Sequence, residues 1–173
     1  MDELNRKSVD EFRGAEKMPV IVVLENIRSM HNVGSVFRTS DAFLIEAIYI
    51  TGYTAQPPRK EIDKTALGAT ETVAWRYFET TIEAIAEIRE KDYTVYSIEQ
   101  ADQSISLDQL RTHDHQGIAF VFGNEVSGVE AATISLCDGC IEIPQFGTKH
   151  SLNISVAAGI VLWEVARSKL AEN

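Results

Sequence analysis

The sequence predicts an α/β fold, a mostly parallel sheet flanked by helices. Two observations lead to this prediction. Short runs rich in β-branched and aromatic residues alternate with helical patterns along the chain, and several of these runs, such as IVVL and IAFVF, are apolar throughout. Continuous apolar runs are typical of strands buried on both faces. A regular succession of strand and helix is typical of a parallel sheet with crossover helices.

Six strands are predicted, because six runs carry the composition of strands and are bounded by Gly, Pro, Thr or Asn. They cover residues 19–25, 47–53, 72–78, 93–99, 118–124 and 139–145. Apolar residues at helical spacing predict helices over residues 34–44, 81–91, 128–137 and 151–170. Thr80 and Glu83 have the spacing of a capping box at the start of the second of these helices.

The length of 173 residues fits one domain with a sizeable core. We expect residues 1–17 to form an N-terminal arm or an extra helix, and residues 18–173 to form the domain. No apolar run is long enough to span a bilayer, and the charged N-terminus does not resemble a signal peptide. The 2 cysteines suggest a reducing compartment, so we expect a cytoplasmic protein without a membrane partner.

Ligands of an open parallel sheet bind beyond the carboxyl ends of its strands. After the first strand, Asn32, Gly34 and Ser35 lie where a helix is expected to begin, with free N–H groups that could receive an anion. Arg38 follows about one turn later. The alternative interpretation is an ordinary capped surface helix in which Arg38 pairs with Asp41.

Two further polar segments follow the fifth and sixth strands. In FGNEVSGVE, Gly123 and Gly128 bracket a segment that can form a tight loop leading into a helix capped by Ser127. The alternative interpretation is a simple turn. In IPQFGTKHSLN, either Ser151 or Asn153 can cap the last helix. Residues 156–163 of that helix are apolar enough to be buried on nearly every side.

Three stretches, NVGSVFRTSDAF, FVFGNEVSGVE and IEIPQFGTKHSLNISVAAGI, resemble the three signature motifs of the SpoU-type (TrmH-like) RNA 2′-O-ribose methyltransferases of the SPOUT class. The motifs occur in the family's order and spacing, and the resemblance covers about residues 20–170. It implies a C-terminal deep trefoil knot, a homodimer, S-adenosylmethionine as methyl donor, and methylation of a ribose 2′-hydroxyl in tRNA or rRNA.

Carried over motif by motif, the resemblance assigns two sets of residues. The catalytic set is Asn32, Arg38, Glu125, Ser151 and Asn153. The set that holds S-adenosylmethionine is Phe122, Gly123, Asn124, Ile143, Ser151 and Leu152. Arg38 is implied to reach the reacting ribose across the dimer interface. Because a guanidinium is seldom deprotonated, we expect Arg38 to stabilise the developing alkoxide and fix the adjacent phosphate, not to act as the base.

The histidines and cysteines are weaker candidates for catalysis or metal binding, and no metal is expected. His113 and His115 lie in a polar turn, and Cys137 with Cys140 lacks the second pair that a zinc site needs. Adjacent residues at a helix start point apart, which argues against a Ser–His nucleophile at His150 and Ser151. We expect His150 to contact RNA instead.

A net charge of −10 argues against broad binding to nucleic acid but leaves room for a local basic site. The acidic residues cluster away from the motifs, for example Glu79, Glu83, Glu87, Glu90 and Asp92. We expect a basic stripe on the active-site face, formed by Arg28, Arg38, Arg59, Lys60, Lys64 and Lys149. The alternative is that these are scattered solubilising charges.

No appended RNA-binding domain accompanies the motifs, which favours a compact substrate such as tRNA over rRNA. Two alternatives to a ribose methyltransferase stay open. One is a catalytically silent RNA-binding dimer of the same fold, and the other is a base methyltransferase of the same class. Because Asn32, Arg38, Glu125, Ser151 and Asn153 are all present, the sequence favours the enzyme over the silent dimer.

Overall fold

The computed structural model describes residues 7–148 and 151–170. Its sheet has 7 strands in the order β3-β2-β1-β6-β4-β7-β5. All neighbouring pairs of strands in it are parallel. The strands are β1 Met18–Glu25, β2 Ile45–Thr51, β3 Ala74–Phe78, β4 Thr94–Ile98, β5 Ile105–Ser106, β6 Ile118–Phe122 and β7 Gly139–Glu142. The predicted α/β sheet is thus confirmed.

Helices cover both faces of this sheet. They are α1 Val9–Gly14, α2 Met30–Ala42, α3 Lys60–Ala66, α4 Ala69–Thr72, α5 Thr81–Glu90, α6 Ala131–Leu136 and α7 Ile154–Leu170. Two 3₁₀ turns, Leu107–Gln109 and Thr112–Asp114, lie between β5 and β6. In the described part of the chain, no helix is long and apolar enough to cross a membrane.

The core has two layers because the central strands are buried on both faces. Val22 and Val23 are neighbours in β1 and both have no exposed surface, yet they belong to different apolar clusters. Alternate side chains of a strand point to opposite faces of the sheet, which explains this division. The Val22 cluster includes residues of α2, α3 and α7, whereas the Val23 cluster includes residues of α5.

The N-terminal segment contributes to the first layer. Ser8 and Glu11 form a capping box that starts α1, and Phe12 is 4% exposed within the α2 side of the core. Arg13 donates from Nη2 to the carbonyl of Glu71 at 2.7 Å. Residues 9–14 are therefore helical and anchored, while the division of the chain at residue 17 stays a prediction.

Two predicted helix starts are wrong. The helix α2 begins at Met30, since Ser29 caps it by accepting from the Asn32 N–H. Asn32, Gly34 and Ser35 therefore lie inside the helix, not at an open anion site. Ser127 does not cap α6, because its N–H donates to the Asn124 side chain and the helix begins three residues after Gly128, at Ala131. The Thr80–Glu83 capping box is confirmed.

The last helix begins at Ile154, three residues after its predicted start, and it is less buried than predicted. Ala158, Val161 and Leu162 are fully buried, but three large apolar side chains are exposed. Val156 is 50% exposed, Ile160 is 37% exposed and Trp163 is 49% exposed. Their spacing of four and three residues places them on one side of α7. The prediction of burial on nearly every side is therefore wrong for a single chain.

Candidate functional site

A cavity of about 340 Å³ opens at the carboxyl edge of the sheet, where β4, β6 and β7 end. Its walls come from residues 98–100, from the loop 122–128, and from residues between 143 and 157. The sheet places β6, β4 and β7 side by side, which gathers these three segments although they are distant in sequence. All six residues expected to hold a cofactor line this cavity: Phe122, Gly123, Asn124, Ile143, Ser151 and Leu152.

The loop 122–128 is folded tightly by Asn124. The Oδ1 atom of Asn124 accepts from the backbone N–H groups of Val126 at 2.8 Å and Ser127 at 3.0 Å. The backbone of Asn124 also exchanges two hydrogen bonds with that of Gly128, at 3.0 and 2.9 Å. This side-chain-to-backbone turn is a common use of asparagine. It fixes the wall of the cavity independently of any ligand.

The two glycines that bracket this loop suit its course for different reasons. A Cβ atom on Gly123 would lie 2.2 Å from the backbone of Gly128 and Val129. Gly128 has a φ of +71°, and a Cβ there would lie 2.2 Å from the Glu99 carboxylate, which accepts from the Val129 N–H at 3.2 Å. A side chain at position 123 would therefore strike backbone, whereas one at position 128 would be strained and would displace the Glu99 side chain.

The carboxylate of Glu125 connects the loop to the start of α2. It accepts from the backbone N–H groups of Arg28 at 3.2 Å and Ser29 at 3.3 Å, and from Asn32 Nδ2 at 3.4 Å. Burial alone would raise the pKa of Glu125, but these donors and its own backbone N–H together lower that pKa below its ordinary value. The carboxylate is therefore held in its charged form beside the cavity.

Asn32 extends this connection to α7. Its Oδ1 accepts from Asn153 Nδ2 at 3.3 Å. The Oδ1 of Asn153 accepts in turn from the Ser155 N–H at 2.9 Å, so Asn153 caps α7, which confirms one of the two predicted caps. Glu125, Asn32 and Asn153 thus form one chain of hydrogen bonds across the three motifs. We call it the Glu125–Asn32–Asn153 network.

Arg38 lies apart from this network. It is exposed on α2, and within the described residues it makes neither an ion pair nor a contact with the cavity of its own chain. The predicted alternative pairing with Asp41 does not occur, because Asp41 accepts instead from the Thr72 hydroxyl. Arg38 is six residues beyond Asn32, which turns it about 240° around the helix axis and carries it about 9 Å along it.

Exposed charges of both signs are mixed on the surface. The acidic residues Glu79, Glu83 and Glu90 are exposed on or beside α5, and Glu61 and Asp63 are exposed on α3. Five residues of the predicted basic stripe are exposed and make no ion pair among the described residues; they lie just before α2, in its second half, and at or on α3: Arg28, Arg38, Arg59, Lys60 and Lys64. Lys149, the sixth member of the predicted basic stripe, and His150 fall outside the described residues.

Sequence reasoning missed three residues that organise the site. Glu99 lines the cavity and fixes Val129. Glu25 is 1% exposed and accepts from the Glu130 N–H at 2.8 Å and from the Thr133 hydroxyl, which ties the start of α6 to β1. The Tyr53 hydroxyl accepts from Asn124 Nδ2 at 2.7 Å. Each of the three ends or follows a strand at its carboxyl end, the signal that could have identified them.

His115, Cys137 and Cys140, the other described side chains considered for catalysis or metal binding, lie outside the cavity. Among the described residues there is no group of three or more His, Cys, Asp or Glu side chains that could hold a metal ion. His115 Nδ1 lies 2.9 Å from the Thr94 hydroxyl. Cys137 and Cys140 are not joined by a disulfide. Burial raises the pKa of Cys137 to about 11, which makes its thiol a poor nucleophile at neutral pH.

The fold and the cavity together define an α/β ligand-binding domain with polar side chains from three loops gathered at one edge of its sheet. Residues 19–163 match the SpoU rRNA Methylase family. This match covers most of the chain, so the chain belongs to that family, and the resemblance in its three motifs is confirmed.

Curated relatives carry names of RNA-modifying enzymes. The chain is 31% identical over 164 residues to a 23S rRNA (guanosine-2′-O-)-methyltransferase of Neisseria meningitidis, covering 95% of this chain and 64% of that protein. It is 30% identical over 169 residues to a tRNA (guanosine(18)-2′-O)-methyltransferase of Thermus thermophilus, covering 97% of this chain and 84% of that protein. The chain thus spans less than two thirds of the first of these relatives.

Solved structures confirm the fold. A TrmH/SpoU tRNA modifying enzyme of A. aeolicus superimposes with a TM-score of 0.83 at 23% identity, over 95% of this chain and 82% of that one. An AdoMet-bound rRNA methyltransferase of Sinorhizobium meliloti superimposes with a TM-score of 0.81 at 24% identity, over 91% of this chain and 60% of that one.

Proposed function

We propose that this protein transfers a methyl group from S-adenosylmethionine to a ribose 2′-hydroxyl of RNA. One observation carries the proposal. The cavity at the carboxyl edge is lined by all six residues expected to hold the methyl donor, and the Glu125–Asn32–Asn153 network adjoins it. The names of the curated relatives support the same reaction.

The cavity suits S-adenosylmethionine in size and chemistry. Its volume of about 340 Å³ is in the range of small-molecule sites. Phe122, Ile143 and Leu152 offer apolar surface for an adenine, and the backbone of the tight loop beside Gly123 offers hydrogen bonds. Glu99 and Glu125 bring negative charge to a cavity that would hold a cation. When bound, the sulfonium supplies an activated methyl group for displacement by a ribose oxygen.

In this account the protein contributes position and charge. The network fixes the two sides of the cavity relative to each other, and good positioning can supply about 7–11 kcal/mol of a reaction barrier. Arg38 stabilises the alkoxide that develops on the ribose and holds the neighbouring phosphate. Its guanidinium stays protonated, so the hydroxyl proton leaves to water, phosphate or another side chain.

The proposed enzyme is a homodimer in which Arg38 serves the cavity of the partner. The exposed side chains Val156, Ile160 and Trp163 give α7 an apolar surface, and α7 packs on the helix that carries Arg38. A second copy of the chain would cover this surface. We expect Ile160→Glu to give a monomer in sedimentation experiments, with Ile82→Glu on α5 as the control, since Ile82 is 52% exposed. An unchanged mass for Ile160→Glu would contradict the dimer.

A C-terminal trefoil knot is proposed for the same chain. The sheet order supports it, because β7 lies between β4 and β5, both of which precede it in sequence. After β7, Ile143 and Leu152 line the same cavity as Glu99 and Gly123, and α7 then packs on α2, so the C-terminal segment runs close to the loops that it would thread. Tracing residues 122–173 in a crystal structure tests this proposal. A trace that straightens when its two ends are pulled would contradict it.

Transfer RNA is the proposed substrate, and the cytoplasm the proposed location. Five exposed cations that make no ion pair within the described residues support an RNA partner, because they are available to contact phosphates: Arg28, Arg38, Arg59, Lys60 and Lys64. The chain spans 84% of the tRNA methyltransferase of Thermus thermophilus but 64% of the rRNA methyltransferase of Neisseria meningitidis, which supports the choice of tRNA. The relatives modify both classes, so the choice between tRNA and rRNA belongs to experiment.

The test is transfer of radiolabel from S-adenosylmethionine to unmodified tRNA and, separately, to rRNA. We expect label in tRNA with the wild-type protein and a loss of at least about a hundredfold with Arg38→Ala, the scale of an electrostatic contribution of this kind. Calorimetry of cofactor binding accompanies the assay, and Arg38→Ala should bind the cofactor normally. Absence of both cofactor binding and label would favour the silent RNA-binding dimer.

A further inference from the structure

We propose that an open groove beside the cavity binds one unstacked nucleotide of the RNA strand next to the methylated ribose. The inference rests on the proposed function and extends it to a second subsite. The groove has a volume of about 600 Å³ and follows β2 at the carboxyl edge of the sheet. Its lining includes two tyrosines, Tyr53 and Tyr77, together with Arg59 and Gln56.

The two tyrosines expose their rings while their hydroxyl groups are anchored. Tyr53 is 63% exposed and Tyr77 is 38% exposed. The Tyr77 hydroxyl donates to the carbonyl of Gly52 at 3.0 Å, and the Tyr53 hydroxyl accepts from Asn124 Nδ2 at 2.7 Å. The rings are thus held in place before any ligand arrives. Aromatic rings held in this way are the usual platform on which proteins stack unpaired bases.

The charge of the groove suits a phosphate. Arg59 lines the groove, and Lys60 follows it at the start of α3. Both side chains are exposed and make no ion pair within the described part of the chain. A cation beside an aromatic ring offers contacts to both parts of a nucleotide, its phosphate and its base. A peptide or an apolar ligand would not use this combination as fully.

The groove is connected to the cavity through a single residue. Asn124 lines the cavity and donates to the Tyr53 hydroxyl, while its Oδ1 folds the loop 122–128. The backbone of Tyr53 is fixed as well, since its N–H donates to Asn26 Oδ1 at 3.2 Å. The hydrogen bond from Asn124 to Tyr53 therefore joins a residue that lines the cavity to one that lines the groove. An RNA strand that places a ribose at the cavity can place its neighbouring nucleotide against Tyr53.

The test uses an RNA that the wild-type protein methylates and measures RNA affinity by fluorescence anisotropy. We expect Tyr53→Ala to weaken RNA binding by about fivefold or more, the loss of one stacked base. Tyr53→Phe keeps the ring and should keep RNA affinity within about twofold, although it removes the bond to Asn124. Arg59→Ala should weaken RNA binding. It should also lower the salt dependence of the RNA binding constant by the amount expected for the loss of about one phosphate contact. Arg111→Ala, an exposed arginine before the amino end of β6, is the control.

An RNA that lacks one base shows whether Tyr53 contacts that base. Removing the base from one nucleotide beside the target should weaken binding to the wild-type protein and have little further effect on Tyr53→Ala, because both changes delete the same contact. Normal RNA affinity of Tyr53→Ala would contradict the proposed nucleotide site in the groove but not the proposed methyl transfer. Equal losses of RNA affinity in Tyr53→Phe and Tyr53→Ala would have the same meaning. A wild-type protein that binds cofactor but neither binds nor methylates any RNA would overturn the proposed function, and the groove with it.

Discussion

At the scale of single residues, the site depends on a few backbone and carboxylate positions. Glu125 receives backbone N–H groups from the segment before α2, and Asn124 folds its own loop. Gly123 and Gly128 allow that loop to approach the rest of the edge closely. These residues shape the wall of the cavity, so changes at them should alter cofactor binding before they alter the fold.

Gly128→Ala tests the shape of the loop. We expect the variant to lose cofactor affinity by at least about tenfold, because alanine is strained at a positive φ and its Cβ would strike the Glu99 carboxylate. Isothermal titration calorimetry measures this loss. Gly147→Ala is the control, since a Cβ at Gly147 meets no atom within 4 Å. Equal affinity in the two variants would show that the loop does not form the cofactor site.

Glu125→Gln tests the charge of the carboxylate. Since the pKa of Glu125 is lowered on folding, its charged form stabilises the folded state at pH values above its ordinary value of 4.5. This contribution is lost as the pH falls through the lowered pKa. The stability difference between wild type and Glu125→Gln should therefore be constant from pH 7 to about pH 4.5 and shrink below it. Urea unfolding at a series of pH values measures it, and a difference that grows on acidification would contradict the account.

At the scale of elements, helix ends position the site. The start of α2 supplies donors to Glu125, and the start of α7 supplies Asn153, which both caps its helix and donates to Asn32. The polar residues at the start of an otherwise apolar helix thus serve two purposes. The capping purpose is local, whereas the contact with Asn32 joins residues 121 positions apart.

Asn153→Asp separates these two purposes. Aspartate keeps the cap, because its carboxylate accepts from the Ser155 N–H, but it cannot donate to Asn32. We expect stability near that of the wild type and a methyl-transfer rate lowered by about tenfold or more. Asn153→Ala removes the cap as well and should lose about 1 kcal/mol of stability. Thermal unfolding and initial rates measure both, and full activity of Asn153→Asp would show that the bond to Asn32 is dispensable.

Much of the element structure could be predicted from the sequence, since apolar strands and capped helices carry local signals. The strand β5, Ile105–Ser106, has no such signal, because its two residues lie in a polar segment and its place in the sheet is set by pairing with β7. The helices α3 and α4 were missed as well, since few residues in them are buried. The start of α2 was predicted four residues late because Ser29 was not recognised as its cap.

The residues of the candidate site were predicted from the sequence, but the hydrogen bonds between them were not. Its three motifs were expected at one edge of the sheet because parallel strands end there together. The bonds of Glu125 to Asn32 and of Asn32 to Asn153 depend on how strands distant in sequence are ordered, which no local pattern encodes. Tyr53 was not predicted as a site residue, because an aromatic residue at the end of an apolar strand is expected to be buried in the core. In the structure its side chain is 63% exposed.

At the scale of the whole molecule, the side of α2, α3 and α7 carries the surfaces that the proposed dimer and RNA contacts would use. Exposed cations lie beside and on α2 and α3, where they alternate with the exposed acids Glu61 and Asp63. An exposed apolar surface on α7 adjoins the helix that carries Arg38. Arg38 does not line the cavity of its own chain, which supports the proposal that a second copy contributes its arginine to the site.

Mixing the Arg38→Ala and Gly128→Ala variants tests this arrangement, at a cofactor concentration low enough that Gly128→Ala alone has little activity. Arg38→Ala keeps its cavity, and Gly128→Ala keeps its arginine, so a mixed dimer contains one complete site if Arg38 acts across the interface. After joint unfolding and refolding at equal amounts, we expect about a quarter of the wild-type activity, since half of the dimers are mixed and each has one of two sites. Each variant refolded alone is the control. A mixture as inactive as its components would place Arg38 in its own chain's site.

The position of the methyl group in the product shows whether the protein is a ribose methyltransferase. RNA incubated with the protein and S-adenosylmethionine is digested to nucleosides and analysed by mass spectrometry, alongside RNA treated with Arg38→Ala. We expect a nucleoside that carries one methyl group on its ribose, at an internucleotide linkage that has become resistant to alkali, and its absence with the variant. A methyl group on a base, or the same product from Arg38→Ala, would contradict the proposed reaction.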